Sequence, residues 1–138
     1  MERTFMMVKP DGVRLRLVGE IIGRFERRGL RLVGLKQVQP SRAMAEKHYA
    51  VHFGKPYYEE LVDFVTSGPV VVMAWEGAQA IILVRRMMGS LKPEEALPGT
   101  IRGDYTIQMQ QNLVHGSDGP DTAVQELALW FNPDELLP

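Results

Sequence analysis

Chemistry in this chain gathers around one histidine, in Asn112-Leu113-Val114-His115-Gly116-Ser117-Asp118-Gly119. Leu113 and Val114 read as a short buried strand, so His115 leaves its end with the ring held. Gly116 admits a backbone conformation closed to other residues and lets a ligand or the imidazole approach closely. Ser117 and Asp118 can bond backbone N–H groups and open a helix. Pro120 suits the first turn of that helix, and Asp121 puts negative charge near its N-terminus. The helix carries an apolar stripe of Ala123, Val124, Leu127, Trp130 and Phe131, with Glu126 at its edge beside Ala123 and Trp130. A half-buried carboxylate needs a partner. If Glu126 takes the Nδ1 proton of His115, it fixes the tautomer and leaves the other ring nitrogen free as nucleophile or base. By residue type alone, His115 is a surface or structural histidine and Glu126 a helix-surface acid; pairing them raises the chemical reading.

Other polar groups bear on the same question. Lys9 follows an apolar strand, placed either to meet an anion in a cleft or to sit in solvent at a strand end. Arg85 and Arg86 close a helix from about Ala78 to Met88, where cations suit the dipole. Arg102 lies in the irregular stretch from Gly89 to Gln111. Its guanidinium fits phosphate oxygens with paired donors, or bridges to Asp104 or a neighbouring subunit. His48 and His52, one helical turn apart, raise the question of a metal pair, but no third ligand accompanies them. Tyr49 reads as a half-buried aromatic, and Tyr57-Tyr58 as one core and one surface ring. There is no Gly-x-x-x-x-Gly-Lys loop, which excludes a P-loop kinase and leaves any mechanism to side chains.

The elements that must position these groups read as follows. Thr4–Val8 is a strand buried on both faces, and Pro10-Asp11-Gly12 turns the chain. Leu17, Val18, Ile21, Ile22 and Phe25 form a helical stripe that ends in basic residues and Gly29, and Leu30–Val38 is a second strand. Ser41 caps a helix carrying His48, Tyr49 and His52; another begins at Lys55-Pro56-Tyr57-Tyr58. Val70–Trp75 is the most continuous apolar run and reads as a central strand. The stretch Gly89–Gln111 is long for a loop in a compact domain, which favours function there.

At 138 residues and 45% hydrophobic content, one domain over residues 1–138 with a proper core is expected. A net charge of −1 argues against a dedicated nucleic-acid partner. The absence of cysteine removes disulfide, redox and Cys–metal chemistry. No apolar run approaches a membrane span and no leader precedes Met1-Glu2-Arg3, so a cytoplasmic protein without membrane contact is the expectation.

The run Asn112–Gly119 resembles the active-site signature of nucleoside diphosphate kinases: Asn, two residues, His-Gly-Ser-Asp and a small residue. The resemblance extends from Glu2-Arg3-Thr4-Phe5 to Trp130-Phe131-Asn132-Pro133 and includes Lys9-Pro10-Asp11-Gly12 and an intact Pro98-Gly99-Thr100-Ile101-Arg102-Gly103-Asp104. It implies an α+β ferredoxin-like βαββαβ sandwich, an antiparallel four-stranded sheet covered by helices. It implies ping-pong transfer of the γ-phosphate of a nucleoside triphosphate to a nucleoside diphosphate through phosphohistidine at His115, oriented by Glu126. Lys9 would contact ribose and phosphate, Tyr49 would lie beside the histidine and phosphate, and Arg85 and Arg102 would hold phosphates. Asn112 would bind the ribose 3′-hydroxyl, Tyr57 would stack on the base with Met109 lining its site, and Gly116 would allow close approach. Mg²⁺ would ride on the nucleotide phosphates rather than on protein ligands. The family implies a homo-oligomer, a hexamer or a tetramer.

Four positions depart from the resemblance. Leu91 stands where the family usually has a threonine that contacts phosphate; losing that bond would cost roughly 1.5–3 kcal/mol. Weakened binding or slower turnover is expected, unless Ser90 substitutes. Leu91 also opens an alternative: a nucleotide- or nucleic-acid-binding regulator on the same fold with impaired transfer. Leu15 and Arg16 differ from common family residues and bear on the turn and subunit contacts more than on chemistry, and Gln111 stands where some members have an arginine, at a position that tolerates variation.

Overall fold

The two most apolar runs become neighbours in the middle of a sheet. In the computed structural model, which describes Met1–Pro138, β1 (Glu2–Val8) pairs antiparallel with β3 (Val70–Gly77), Val8 opposite Val71. Strand β2 (Arg31–Val38) pairs with the other edge of β3, and the short β4 (Val114–Gly116) with the other edge of β1. The order is β2-β3-β1-β4, antiparallel throughout, as a ferredoxin-like βαββαβ chain requires. Residues alternate between two buried faces. Met6, Val8, Met73 and Trp75 share one apolar cluster with Phe25 of α2 (Val18–Arg28) and Val84 of α5 (Ala80–Met88). Phe5, Met7, Val72 and Ala74 share the other with Val62 of a helix at Tyr58–Val65 and Trp130 of one at Pro120–Trp130. Both faces are thus covered, which is why β1 and β3 read as unbroken apolar runs rather than alternating ones.

Several local expectations hold. Gly29 ends α2 at φ 104°, a left-handed conformation that glycine adopts without strain. Ser41 caps α3 (Arg42–His48), its Oγ accepting the Met44 N–H at 3.1 Å. Others are corrected. Pro10-Asp11-Gly12 is the start of a short helix, α1 (Pro10–Arg14), rather than a plain turn. Helix α4 is Tyr58–Val65, with Tyr57 just outside it, and α5 starts at Ala80 behind Gln79 at φ 58°, not at Ala78. The stretch Gly89–Gln111 contains a five-residue helix, α6 (Ile101–Tyr105), capped by the Thr100 hydroxyl accepting from the Gly103 N–H. The final helix, α7 (Pro120–Trp130), is capped by Gly119 and not by Ser117 or Asp118, and Val124 on it is exposed rather than part of the stripe.

Candidate active site

His115 sits in the middle of β4 opposite Met7, rather than beyond the strand's end. Backbone pairing fixes its Cα, and Phe5 (6.0 Å between ring centroids) and His48 (4.7 Å, edge-on) confine its ring. Its Nε2 lies 2.8 Å from Glu126 Oε2, so the expected Nδ1 contact is corrected: Nε2 carries the proton to the carboxylate, and Nδ1 is the free nitrogen. The reason is that α7 packs on the sheet face to which Met7 and His115 both point, and brings Glu126 to Nε2. Glu126 is buried, and its other oxygen accepts the Ser117 hydroxyl at 2.5 Å. Both carboxylate oxygens are therefore occupied and the side chain cannot swing away. Ser117, expected to cap a helix, serves the glutamate instead.

Gly116 needs no left-handed backbone. It is required by close packing: a Cβ there would stand 2.6 Å from Met88 Sδ. The freed space lets α5 approach β4, and Arg85 Nη1 donates to Gly116 O at 3.0 Å. Arg102 reaches in from α6, where its guanidinium is held by three carbonyls and one amide oxygen. Nε donates to Asn112 O (3.1 Å), Nη1 to Gly89 O (2.9 Å), and Nη2 to Val114 O (2.8 Å) and Asn112 Oδ1 (3.3 Å). Burial and the nearby Arg85 charge push Arg102 down to about 10. The expected alternative, a bridge from Arg102 to Asp104, does not form; Arg24 takes Asp104 instead. Lys9 Nζ donates to Asn112 Oδ1 at 3.1 Å, and burial with the Arg102 charge lowers its pKa to about 8.

These side chains face one continuous groove. Its inner part, about 290 Å³, is lined by His115, Arg85, Arg102, Lys9, Tyr49 and Leu91. Its outer part, about 540 Å³, is lined by Tyr57, Leu61, Phe64, Met109, Asn112 and the same Leu91 and Lys9. The outer part is the more apolar and suits a flat base; the inner part suits an anion. His115, Lys9, Tyr49, Tyr57, Arg85, Leu91, Arg102, Met109, Asn112 and Gly116 all reach this groove and Glu126 backs it, whereas Arg86 faces a separate pocket and Tyr58 lies in the core. Burial raises the Tyr49 phenol to about 12, so it stays a protonated donor at neutral pH. Leu91 is half exposed at the junction of the two parts.

The histidine pair does not assemble. His52 Nδ1 lies 3.2 Å from the Tyr57 hydroxyl, while His48 Nδ1 accepts the Trp130 indole N–H at 3.1 Å. His48, His115 and Glu126 do cluster within metal-ligand spacing, but their facing atoms are already bonded to one another or to Trp130 and Ser117. Burial and the neighbouring His115 hold His48 well below the usual imidazole range, so it stays neutral beside the glutamate. Sequence reasoning missed His48, Ser117 and Asp11 as parts of the site. The only available signal was their position in the same motifs as His115 and Lys9, or next to Tyr49.

A model of the nucleoside diphosphate kinase family matches residues 2–136. The chain belongs to that family. It is 60% identical over 135 residues to a nucleoside diphosphate kinase of Synechococcus sp. (strain CC9311), covering 98% of this chain and 89% of the relative. A nucleoside diphosphate kinase of Carboxydothermus hydrogenoformans is 59% identical over 137 residues, covering 99% and 92%. Among solved structures, the fold is similar to the halophilic nucleoside diphosphate kinase of Halobacterium salinarum in complex with CDP, at TM-score 0.96 and 50% identity over 99% of this chain and 91% of that one. A nucleoside diphosphate kinase family protein of Babesia bovis matches at TM-score 0.97 and 45% identity, covering 100% and 93%. These relatives support a phosphotransferase acting between nucleoside tri- and diphosphates, and not the regulator alternative. No helix of this kinase is long and apolar enough to cross a membrane.

Proposed function

We propose that His115 is the residue phosphorylated in this kinase and that the transfer runs through its Nδ1. The observation that carries the proposal is the 2.8 Å contact between His115 Nε2 and Glu126 Oε2, which leaves the Nδ1 lone pair as the only free nucleophile on the ring. Nδ1 attacks the γ-phosphorus, the bond to the bridging oxygen breaks, and its electron pair leaves on the β-phosphate of the diphosphate product. A second nucleoside diphosphate attacks the same phosphorus through a β-phosphate oxygen, and the lone pair returns to Nδ1. One site serves both halves, hence ping-pong kinetics.

Such transfer needs alignment and charge stabilisation more than acid–base work. Arg85, Arg102 and Lys9 supply positive charge along the groove, and Tyr49 supplies a neutral donor. Asn112 takes the ribose 3′-hydroxyl, Tyr57 stacks on the base and Met109 lines its outer edge. Gly116 leaves room beside the imidazole. Stacking reads the π-face common to all bases, so a broad nucleotide range follows.

Of the carboxylates near the groove, Glu126 is engaged by His115 and Ser117, Asp11 holds the Leu113 N–H with one oxygen, and Glu60 stands apart at the outer part, so they do not converge as the oxygen cage that Mg²⁺ requires. The donor set therefore fits Mg²⁺ carried on the phosphates, where it would neutralise charge on their oxygens.

We infer further that residues 1–138 act as one domain in the cytoplasm, as a homo-oligomer of hexameric or tetrameric form. Exposed Leu15, Leu97 and Ile107 support self-association. The test of the mechanism is a half-reaction with labelled ATP and Mg²⁺ and no acceptor. Acid-labile label that His115→Ala abolishes and GDP removes is expected. Bound ATP without labelled protein would overturn the reading.

A further inference from the structure

The backbone just before His115 is bent against its preference. Leu113 has φ 77°, a region that branched side chains rarely enter, and Val114 N–H donates to Asn112 O at 2.9 Å across it. That is the rare γ-turn with a positive central φ, and a buried leucine does not hold it unaided. What holds it comes from the far end of the chain. Lys9 N–H donates to Leu113 O at 2.9 Å, and the Leu113 N–H donates to Asp11 Oδ2 at 3.0 Å. Gly12 allows this closeness, since a Cβ there would stand 2.9 Å from Leu113 O. The second oxygen of Asp11, Oδ1, is buried with no hydrogen-bond partner. A carboxylate kept in that position is doing something its hydrogen bonds do not account for.

We propose that Asp11 is a positioning residue with two tasks: its carboxylate pins the strained turn that aims Asn112 and His115, and its charge is the buried counter-charge of Lys9 and Arg102. Asn112 Oδ1 receives both Lys9 Nζ and Arg102 Nη2, so the turn fixes the point where the two cations converge. Asp11 acts on each of them in the direction of keeping the proton, against burial and mutual repulsion. The other charged or titratable groups about Lys9 are Arg85 of α5, His115 of β4 with Glu126 of α7 against it, His48 and Tyr49 at the end of α3, His52, and Tyr57 and Glu60 at the start of α4. Of the two acids among these, Glu60 is exposed at the groove's outer part, and Glu126 has both oxygens taken by His115 and Ser117. Asp11, with one oxygen unpartnered, is therefore the buried carboxylate left to offset the charge of Lys9.

The inference rests on the role proposed for Lys9. Its test uses the intact enzyme with kcat/KM for ATP measured from about pH 6 to about pH 10. Wild type is expected to lose activity near pH 8 as Lys9 deprotonates, and Lys9→Arg to lack that limb. Asp11→Asn keeps the shape and an acceptor for the Leu113 N–H but removes the charge. Its alkaline limb is expected to move down by about one pH unit, so that kcat/KM falls about twofold at pH 7 and by nearly tenfold only well above pH 8. An Asp11→Asn profile superimposed on wild type overturns the inference, as does an alkaline limb that survives in Lys9→Arg. If Asp11→Asn does not fold alone, the comparison moves to a Leu113→Gly background, because glycine takes the positive φ without strain. There Asp11→Asn is expected to fold and still show the shifted limb; a protein that stays unfolded, or an unshifted limb, overturns it. Absence of His115 labelling in wild type would instead strike the mechanism above.

Discussion

Removing the Lys9 charge should stabilise the folded protein while disabling it. Lys9 is 8% exposed, and its pKa falls from 10.5 to about 8, mainly through burial. That shift of about 2.5 units, at about 1.36 kcal/mol each, makes the charged lysine about 3 kcal/mol worse in the folded protein than in the unfolded chain. Methionine has nearly the same shape and no charge. Lys9→Met forgoes the bond to Asn112 Oδ1, worth about 1 kcal/mol, but that oxygen keeps Arg102 at 3.3 Å. A net gain of about 2 kcal/mol is expected at pH 7. The sign of its pH dependence follows from linkage. Between about pH 8 and 10.5 the unfolded chain still holds the proton that folded Lys9 has released, so wild type gains stability across that window. The advantage of Lys9→Met is therefore full below pH 8 and fades towards pH 10.5. The assay is urea unfolding of both proteins at pH 7 and near pH 10, at one protomer concentration because oligomerisation shifts apparent stability. A variant less stable than wild type at pH 7, or an advantage that does not shrink, would refute the reasoning. Loss of transfer activity by about 100-fold should accompany the gain.

Other substitutions probe the groove. Leu91→Thr returns a hydroxyl to the junction of its two parts, and kcat/KM for ATP should rise by about tenfold, the worth of one hydrogen bond to a charged group; an unchanged value would mean that another group already makes the contact. Glu126→Gln keeps an acceptor for the His115 N–H but removes the charge that stabilises it, so single-turnover labelling of His115 should slow by about 10- to 100-fold with nucleotide affinity little changed; equal loss in affinity would place the carboxylate in binding instead. Tyr57→Ala removes the stacking face, and KM should rise about tenfold for ATP, GTP and CTP alike; a base-selective loss would argue against stacking.

How much of this could be read from residues alone depended on the range of the interaction. Strands β1 and β3 were legible because burial on both faces leaves unbroken apolar runs, and α2 because its stripe is regular and ends at a glycine. Helices α1 and α6 were not, since five residues are too few to show a helical period. The groove residues were identifiable as types in motifs, but their partners were not. Whether Nδ1 or Nε2 of His115 meets Glu126 depends on how α7 lies against β1 next to β4, a long-range matter that spacing does not encode. The same holds for Ser117: a Gly-Ser-Asp run before a proline reads as a cap, and only the position of Glu126 shows where the hydroxyl goes.

Partner choice separates the arginines that serve the groove from those that hold the fold. Arg3 and Arg31 are paired with Glu76, Arg24 with Glu20 and Asp104, and Arg42 with Glu59 and Asp63. These charges are spent on carboxylates. Arg85 and Arg102 are fixed by carbonyls and an amide oxygen instead, so they are held in place without being neutralised. Burial and mutual repulsion lower the pKa values of Arg102 and Lys9, because positive charge is crowded where water is scarce. On the proposed mechanism a phosphate would relieve the crowding when it enters, and more so as charge spreads over its oxygens during transfer. The anions stand behind, Glu126 across the imidazole ring and Asp11 beneath the turn, where they tune the cations and the nucleophile without repelling the substrate. In the mechanism proposed, charge would be ordered along the line of transfer, carboxylate, imidazole, phosphate, guanidinium, and the buried neutral His48 keeps a further cation from competing for Glu126.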